Sequence, residues 1–365
     1  MQGAQRMKRF ILFVTVILLI LSQSVGTVAE NGSDPENRIV LSLIGDCSIG
    51  DSGQYVTYQN SYHTTIKEHG YDWPFSLVKD ILSADDLTVA NLEVCLTNRT
   101  AHADKTYYLK ADPQHVQILK EGSIEVVNTV NNHCEDYRGQ GYQDTLDTLD
   151  AAGIRRFGSL RPNSANGYDD LLAVDVKGIR IGMLGFSYPQ ESDLKRIGNR
   201  ITKLKEEEGC DLVIVSLHWG RETHALPNAG QMTYARNIID MGADVIYGHH
   251  AHVTQPIQFY KGKPILYNTG NFTFGTMSQV DPSTGIFQLV YTRSENGVQL
   301  ERLQVIPCRT QPAPDYRPYV CTEPDEIAQC FKRLVLPKEY KNFQNPPASF
   351  LETGIIELTD GMIAE

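Results

Sequence analysis

Three histidines, His249, His250 and His252, follow directly on the apolar run Val245-Ile246-Tyr247-Gly248. On an extended segment residues two apart point the same way, so His250 and His252 can aim both imidazoles at one point. Neutral imidazole is the commonest nitrogen ligand for transition metals. His249 is then expected to face away. A histidine cluster by itself is compositional evidence, and a solvated turn has the same composition. Other apolar runs end on residues of the same kind. Ile39 to Ile44 ends at Gly45-Asp46, Leu87 to Ala90 at Asn91-Leu92-Glu93, Glu125 to Val130 at Asn131-Asn132-His133, and Leu212 to Leu217 at His218-Trp219-Gly220. Taken singly, Asp46 and Asn132 read as turn or helix-cap residues, His218 as a core histidine and Glu93 as a solvated loop charge. In open α/β sheets, however, groups at the carboxyl ends of strands converge on one crevice, so the repetition predicts one site assembled from distant sequence.

The chemistry follows from the donor types. Asp, Glu, Asn and His together suit one or two Mn, Fe or Zn ions better than the all-oxygen shell of Ca or Mg. A metal held by imidazoles and a carboxylate lowers the pKa of bound water from about 15.7 towards about 7, which supplies hydroxide at neutral pH. His133, beside Asn132, can donate a proton to the leaving group. Glu222 can orient a ligand histidine and Arg221 can meet an anionic substrate, although both also read as solvated loop charges.

Alternating strands and helices must position these residues. Tyr142, Leu146, Leu149 and Ala152 recur at helical spacing before Gly153, a C-terminal stop. Asp193 to Glu208 predicts a charged helix feeding the Cys210–Leu217 strand, and Gln231 to Met241 a helix feeding the histidine strand. Residues 264 to 267 form another strand, closed by Asn268-Thr269-Gly270-Asn271-Phe272. Asn296-Gly297 predicts a hairpin between Gly285–Thr292 and Gly297–Ile306. The pattern marks a catalytic domain over 38–306 and a C-terminal extension over 307–365.

The chain of 365 residues is 41% apolar and 21% charged, with formal net charge −11. That length suits one large domain, or one with a small appendage. The acidic balance, with no basic stripe interleaved with aromatics, argues against a nucleic-acid partner. Arg6, Lys8 and Arg9 precede the apolar run Phe10 to Leu21 and the small residues leading to Ala29, the order of a secretory signal over residues 1–29. Extended through Val28, the same run can serve as an uncleaved anchor. Either way the chain is expected outside the cytoplasmic membrane, at its outer face or secreted. Seven cysteines in an exported chain leave at least one without a disulfide partner. One bridge among Cys308, Cys321 and Cys330 would staple the proline-rich tail, whereas Cys47, Cys95 and Cys134 are expected as small buried thiols under the site loops.

The motifs Gly45-Asp46, Asn91-Leu92-Glu93, Asn131-Asn132-His133 with Asp136-Tyr137, His218-Trp219-Gly220 with Glu222, Gly248-His249-His250-Ala251-His252 and Gly270-Asn271-Phe272 occur in order over about residues 39–275. This set resembles the CapA family of bacterial capsule (poly-γ-glutamate) synthesis proteins, which in turn is similar to the calcineurin-like metallophosphoesterases. The resemblance implies a four-layer α/β/β/α sandwich with a dinuclear metal centre. It implies metal ligation by Asp46, Asn132, His218, His250 and His252, with His133 assisting the reaction, and it places Asn271 beside the site. The phosphoesterase pattern has a histidine where this chain has Ser48, and a bridging Asp where it has Asn91-Leu92-Glu93. Either Glu93 bridges the metals with a longer arm, or the site holds a single ion; Asn91 is the alternative ligand to Glu93. Three functions fit. One is a metal-dependent hydrolase acting on a cell-surface polymer or its phosphorylated precursor; another is a scaffold within membrane capsule-synthesis components; the last is a secreted phosphodiesterase or nucleotidase.

Overall fold

The computed structural model describes residues 37–159, 171–275, 281–337, 340 and 343–358, and the proposed signal over residues 1–29 lies outside them. The strands run β1 (Arg38–Ser48), β2 (Asp51–Ser52), β3 (Leu87–Leu92), β4 (Cys95–Leu96), β5 (Leu109–Ala111), β6 (Val126–Asn128) and β7 (Arg155–Phe157). Then come β8 (Leu171–Val176), β9 (Ile179–Ser187), β10 (Leu212–His218), β11 (Val245–His249), β12 (Ile257–Tyr260), β13 (Lys263–Leu266) and β14 (Asn271–Phe274). The chain closes with β15 (Ser283–Ser294), β16 (Gly297–Thr310), β17 (Pro318–Val320) and β18 (Ile355–Glu357).

Two large sheets face each other. The first has the order β17-β16-β15-β1-β3-β6-β7, with β14 added on β1 and β18 on β16. The second has the order β12-β13-β11-β10-β9-β8. The site-bearing strands β1, β3 and β6 are parallel to one another, as are β9, β10 and β11, so their carboxyl ends emerge together in each sheet.

Period-two alternation builds the layers. In β10, Val213, Val215 and Leu217 pack with Ile197 and Ile201 of the helix Leu194–Thr202 and with Ala235, Ile238 and Ile239 of the helix Ala229–Asp240. On the first sheet, Ile44, Ala90, Leu92 and Val127 pack against Phe75, Leu82, Ile118, Leu119 and Leu149 from the helical side. The opposite faces meet between the sheets, where the Tyr247 hydroxyl of β11 donates to the carbonyls of Ile44 and Val89. Helices outside and two sheets inside make the four-layer α/β/β/α sandwich.

Most predicted elements appear with short shifts. The helix Arg138–Ala152 ends on Gly153 at φ 75°, the left-handed stop the sequence required. The helix Ala229–Asp240 begins in a reciprocal capping box between Asn228 and Gln231. The expected single helix over Asp193–Glu208 is a regular helix Leu194–Thr202 that widens into a π turn at Lys203–Glu207. β16 runs through residue 306 to Thr310, and β17 and β18 pair with it, so the tail extends the first sheet.

Asp51 sits at the start of the helix Tyr62–His69, accepting from the backbone N–H of Tyr62 at 2.7 Å and of His63 at 2.9 Å. Burial nevertheless lifts its carboxyl to about 7. A carboxyl whose folded pKa exceeds its unfolded value of about 3.9 binds its proton more tightly in the native state. Its stabilising contribution is complete below about pH 4 and is lost as pH rises through about 7. Asp51→Asn is expected to reduce the fall of stability between those limits by about one proton's worth of slope. Denaturation curves at several pH values check this, and an unchanged slope would show an Asp51 that is ionised throughout.

Candidate metal centre

Both sheets contribute to one cluster at their carboxyl edges. Asp46 ends its run in β1, Asn91 lies in β3 with Glu93 just beyond, and Asn132 and His133 follow β6; His218 and His249 close β10 and β11, and His250 and His252 follow. Asp46 Oδ1 accepts from His249 Nδ1 at 2.7 Å and from Asn91 Nδ2 at 2.9 Å, while Oδ2 accepts from the His250 N–H at 3.2 Å. Glu93 Oε1 lies 3.9 Å from the Nε2 atoms of His133, His218 and His252. Asn132 Oδ1 lies 2.8 Å from His218 Nε2. Donor atoms of Asp46, Glu93 and His218 fall within 4.8 Å of one another, and so do those of Glu222, His250 and His252.

The sequence-predicted residues are therefore together, with one orientation reversed. His249 does not face away: it is fully buried and directed at Asp46. Strand alternation still holds through β11, so His249 follows Tyr247 into the space between the sheets. The alternation breaks afterwards, because His250 and His252 adopt left-handed φ of 89° and 57°. Non-glycine residues in that region persist only when their surroundings hold them there. Close approach also shapes the strand ends. A Cβ at Gly45 would lie 2.1 Å from the Gly270 carbonyl oxygen, and one at Gly248 would lie 2.0 Å from that of Tyr267. Glycine before Asp46 and before His249 lets neighbouring backbone pass beside the site.

Asn91 and Glu93 now separate. The Asn91 amide donates to Asp46 and, at 3.3 Å, to Glu93 Oε2, while its oxygen accepts from Asn128 Nδ2 at 2.9 Å. Two carboxylates on its nitrogen leave Asn91 as a positioning donor. Glu93 has the free oxygen: Oε1 is buried and accepts no hydrogen bond.

Burial sets the protonation states. It pushes the imidazoles of His218 and His133 down, and that of His250 down to about 4, keeping them neutral with available lone pairs. Burial works to raise the Asp46 carboxyl, but the His249 contact and the Asn91 hydrogen bond overcome it and hold the acid below its usual range. Glu93 goes the other way, raised first by burial and then by the negative charges of Asp46, Asp136 and Glu222. An orphaned, fully buried carboxylate oxygen ringed by imidazoles lacks a partner of positive charge. The donors of this site fit a divalent transition metal.

Next to the cluster, His133 Nδ1 lies 2.5 Å from Asp136 Oδ2. Lys105 Nζ donates to Asp136 Oδ1 at 2.6 Å and to the Asn132 carbonyl at 3.0 Å. Tyr188 Oη is 2.6 Å from His250 Nε2. Sequence reading missed Lys105, Tyr188 and Asn128. Lys105 and Tyr188 lie in loops, and only Asn128, a polar residue within the Glu125–Val130 run, carried a signal. Asn271 Oδ1 lies 2.9 Å from His252 Nδ1, while Glu222 and Arg221 are exposed on the loop after β10. Cys47, Cys95 and Cys134 are buried, and burial lifts the Cys95 and Cys134 thiols to about 12, so they pack as neutral thiols. In the tail, Cys321 Sγ lies 3.9 Å from Cys330 Sγ.

Two sheets between helical layers thus gather Asp, Glu, Asn and His at their strand ends. Residues 40–276 match the family described as bacterial capsule synthesis protein PGA_cap, and the chain belongs to that family. It is 28% identical over 320 residues to the capsule biosynthesis protein CapA of Bacillus anthracis, covering 82% of this chain and 74% of that one. It is 32% identical over 253 residues to the PGA biosynthesis protein CapA of Bacillus subtilis, covering 66% of this chain and 64% of that one. Among solved structures, a phosphatase from Mycoplasma pneumoniae aligns over 74% of this chain and 93% of its own, at 15% identity and TM-score 0.47.

Proposed function

We propose that the protein is a metal-dependent hydrolase of capsular poly-γ-glutamate production, acting outside the cytoplasmic membrane on the polymer or on a phosphorylated precursor. The observation that carries this reading is Glu93 Oε1, buried, without a hydrogen bond, and 3.9 Å from the Nε2 atoms of three histidines. Asp46, Glu93, Asn132, His218, His250 and His252 are the residues that would hold one or two Mn, Fe or Zn ions. Such ions, when bound, polarise the group under attack and lower the pKa of water to about 7. Asp136 fixes His133 through Nδ1, so the Nε2 lone pair faces the centre, where it can take a proton from the attacking water and pass it on to the leaving atom. Lys105 holds Asp136 in place from the other side.

Metal analysis of the purified protein, followed by turnover assays on phosphoesters and on γ-glutamyl polymer, tests the reading. Metal with turnover on either class supports it; a metal-free protein inert on both refutes it. Ser48, in place of the phosphoesterase histidine, favours a second reading in which the protein is a scaffold among membrane capsule-synthesis components. That reading requires capsule output in cells to survive loss of His133.

The leader supports the proposed location. The mature chain is expected to begin near Glu30 in cell-envelope or secreted material, as N-terminal sequencing would show. Recovery of an intact N-terminus from the cytosol alone overturns export.

A further inference from the structure

We infer that Glu222 is a direct ligand of a second, outer metal ion held with His250 and His252, a step that rests on the metal-centre reading above. The donors form two groups. Asp46, Glu93 and His218 are wholly buried, whereas Glu222 is exposed and reaches His250 and His252 from the open side. Donor atoms in each trio lie within 4.8 Å of one another, the spacing needed to share one ion. His252 links the trios through its Nε2, 3.9 Å from Glu93 Oε1.

The backbone holds the outer trio in place. The loop after β10 turns at Gly220 and Thr223, with φ of 89° and 63°, and the Thr223 N–H donates to the Ala251 carbonyl at 2.8 Å. That bond ties the Glu222 loop to the residue between the two histidines, which themselves stand in left-handed conformations. Two strained imidazole positions and a loop pinned between them converge on a carboxylate that caps the pair. A solvated surface charge requires no such registration. A two-imidazole, one-carboxylate set with an open side is a recurrent transition-metal arrangement. The outer ion is accordingly the one nearer solvent, and the one that exchanges first.

The test uses the purified protein loaded with Mn(II), desalted, and read by elemental analysis and electron paramagnetic resonance. Wild type is expected to hold two equivalents with an exchange-coupled spectrum. Glu222→Gln is expected to hold about one, with the spectrum of an isolated ion. Arg221→Gln, altered next door on the same exposed loop, should keep two. Circular dichroism establishes that each variant is folded. Two equivalents retained in Glu222→Gln overturn the proposal, as does loss of both ions from that variant or a wild type holding only one. A wild type that binds no metal overturns the broader metal-centre reading instead.

Discussion

Replacing His133 by Asn is expected to leave metal content at the wild-type level and to lower turnover by roughly 10²-fold or more. His133 reaches the centre with Nε2 while Nδ1 is engaged by Asp136, so its proposed contribution is a proton taken up and relayed at a fixed place. Asn keeps a polar side chain of similar reach and cannot carry that proton at neutral pH. His250 and His252 behave differently: replacing either by Ala removes a donor, so metal content and turnover fall together. Elemental analysis alongside steady-state assays separates the two patterns. A folded, metal-loaded His133→Asn protein with wild-type turnover would remove His133 from the mechanism.

Glu93→Gln is expected to move two observables in opposite directions. Its carboxylate is wholly buried beside Asp46, with Asp136 and Glu222 adding negative charge, and Oε1 has no donor. In the metal-free protein this is an electrostatic cost that a neutral isostere relieves, so the apo variant should melt a few degrees higher than apo wild type. Without that charge, affinity should fall by more than the ~10–100-fold typical of losing a group that only supports a ligand. Thermal melts with and without Mn(II) read both effects. A Gln variant that melts lower when apo, or binds metal as well as wild type, would show that Glu93 is a structural acid.

The sequence disclosed the strand ends well, because a buried apolar run that stops on Asp, Glu, Asn or His is a local signal. Asp46, Glu93, Asn132, His218, His250 and His252 were all legible that way, and the structure brings them together. The orientation of His249 was not, since it depended on where β11 stops alternating, and the left-handed turns at His250 and His252 set that point. Asn91 was ambiguous for a related reason: only the partners of its amide, Asp46 on one side and Asn128 on the other, decide which end faces the carboxylates. Lys105 and Tyr188 were invisible because they arrive on loops, where nothing periodic marks their side chains. The π widening at Lys203–Glu207 is a departure from regular hydrogen bonding that the charge pattern of the segment does not encode.

The proposed donors are divided across the sandwich: Asp46, Glu93 and Asn132 come from the first sheet, and His218, Glu222, His250 and His252 from the second. The inner trio of Asp46, Glu93 and His218 thus draws its oxygens from one half and its imidazole from the other, so neither half alone offers that set. An ion on that inner trio can be captured tightly only once the halves have met, which would make its loading a late event in maturation, coupled to their docking. If the chain is exported unfolded, as proposed, it carries no inner ion with it. Metal identity would then be set by supply in the compartment where the seam closes rather than in the one where the chain is made.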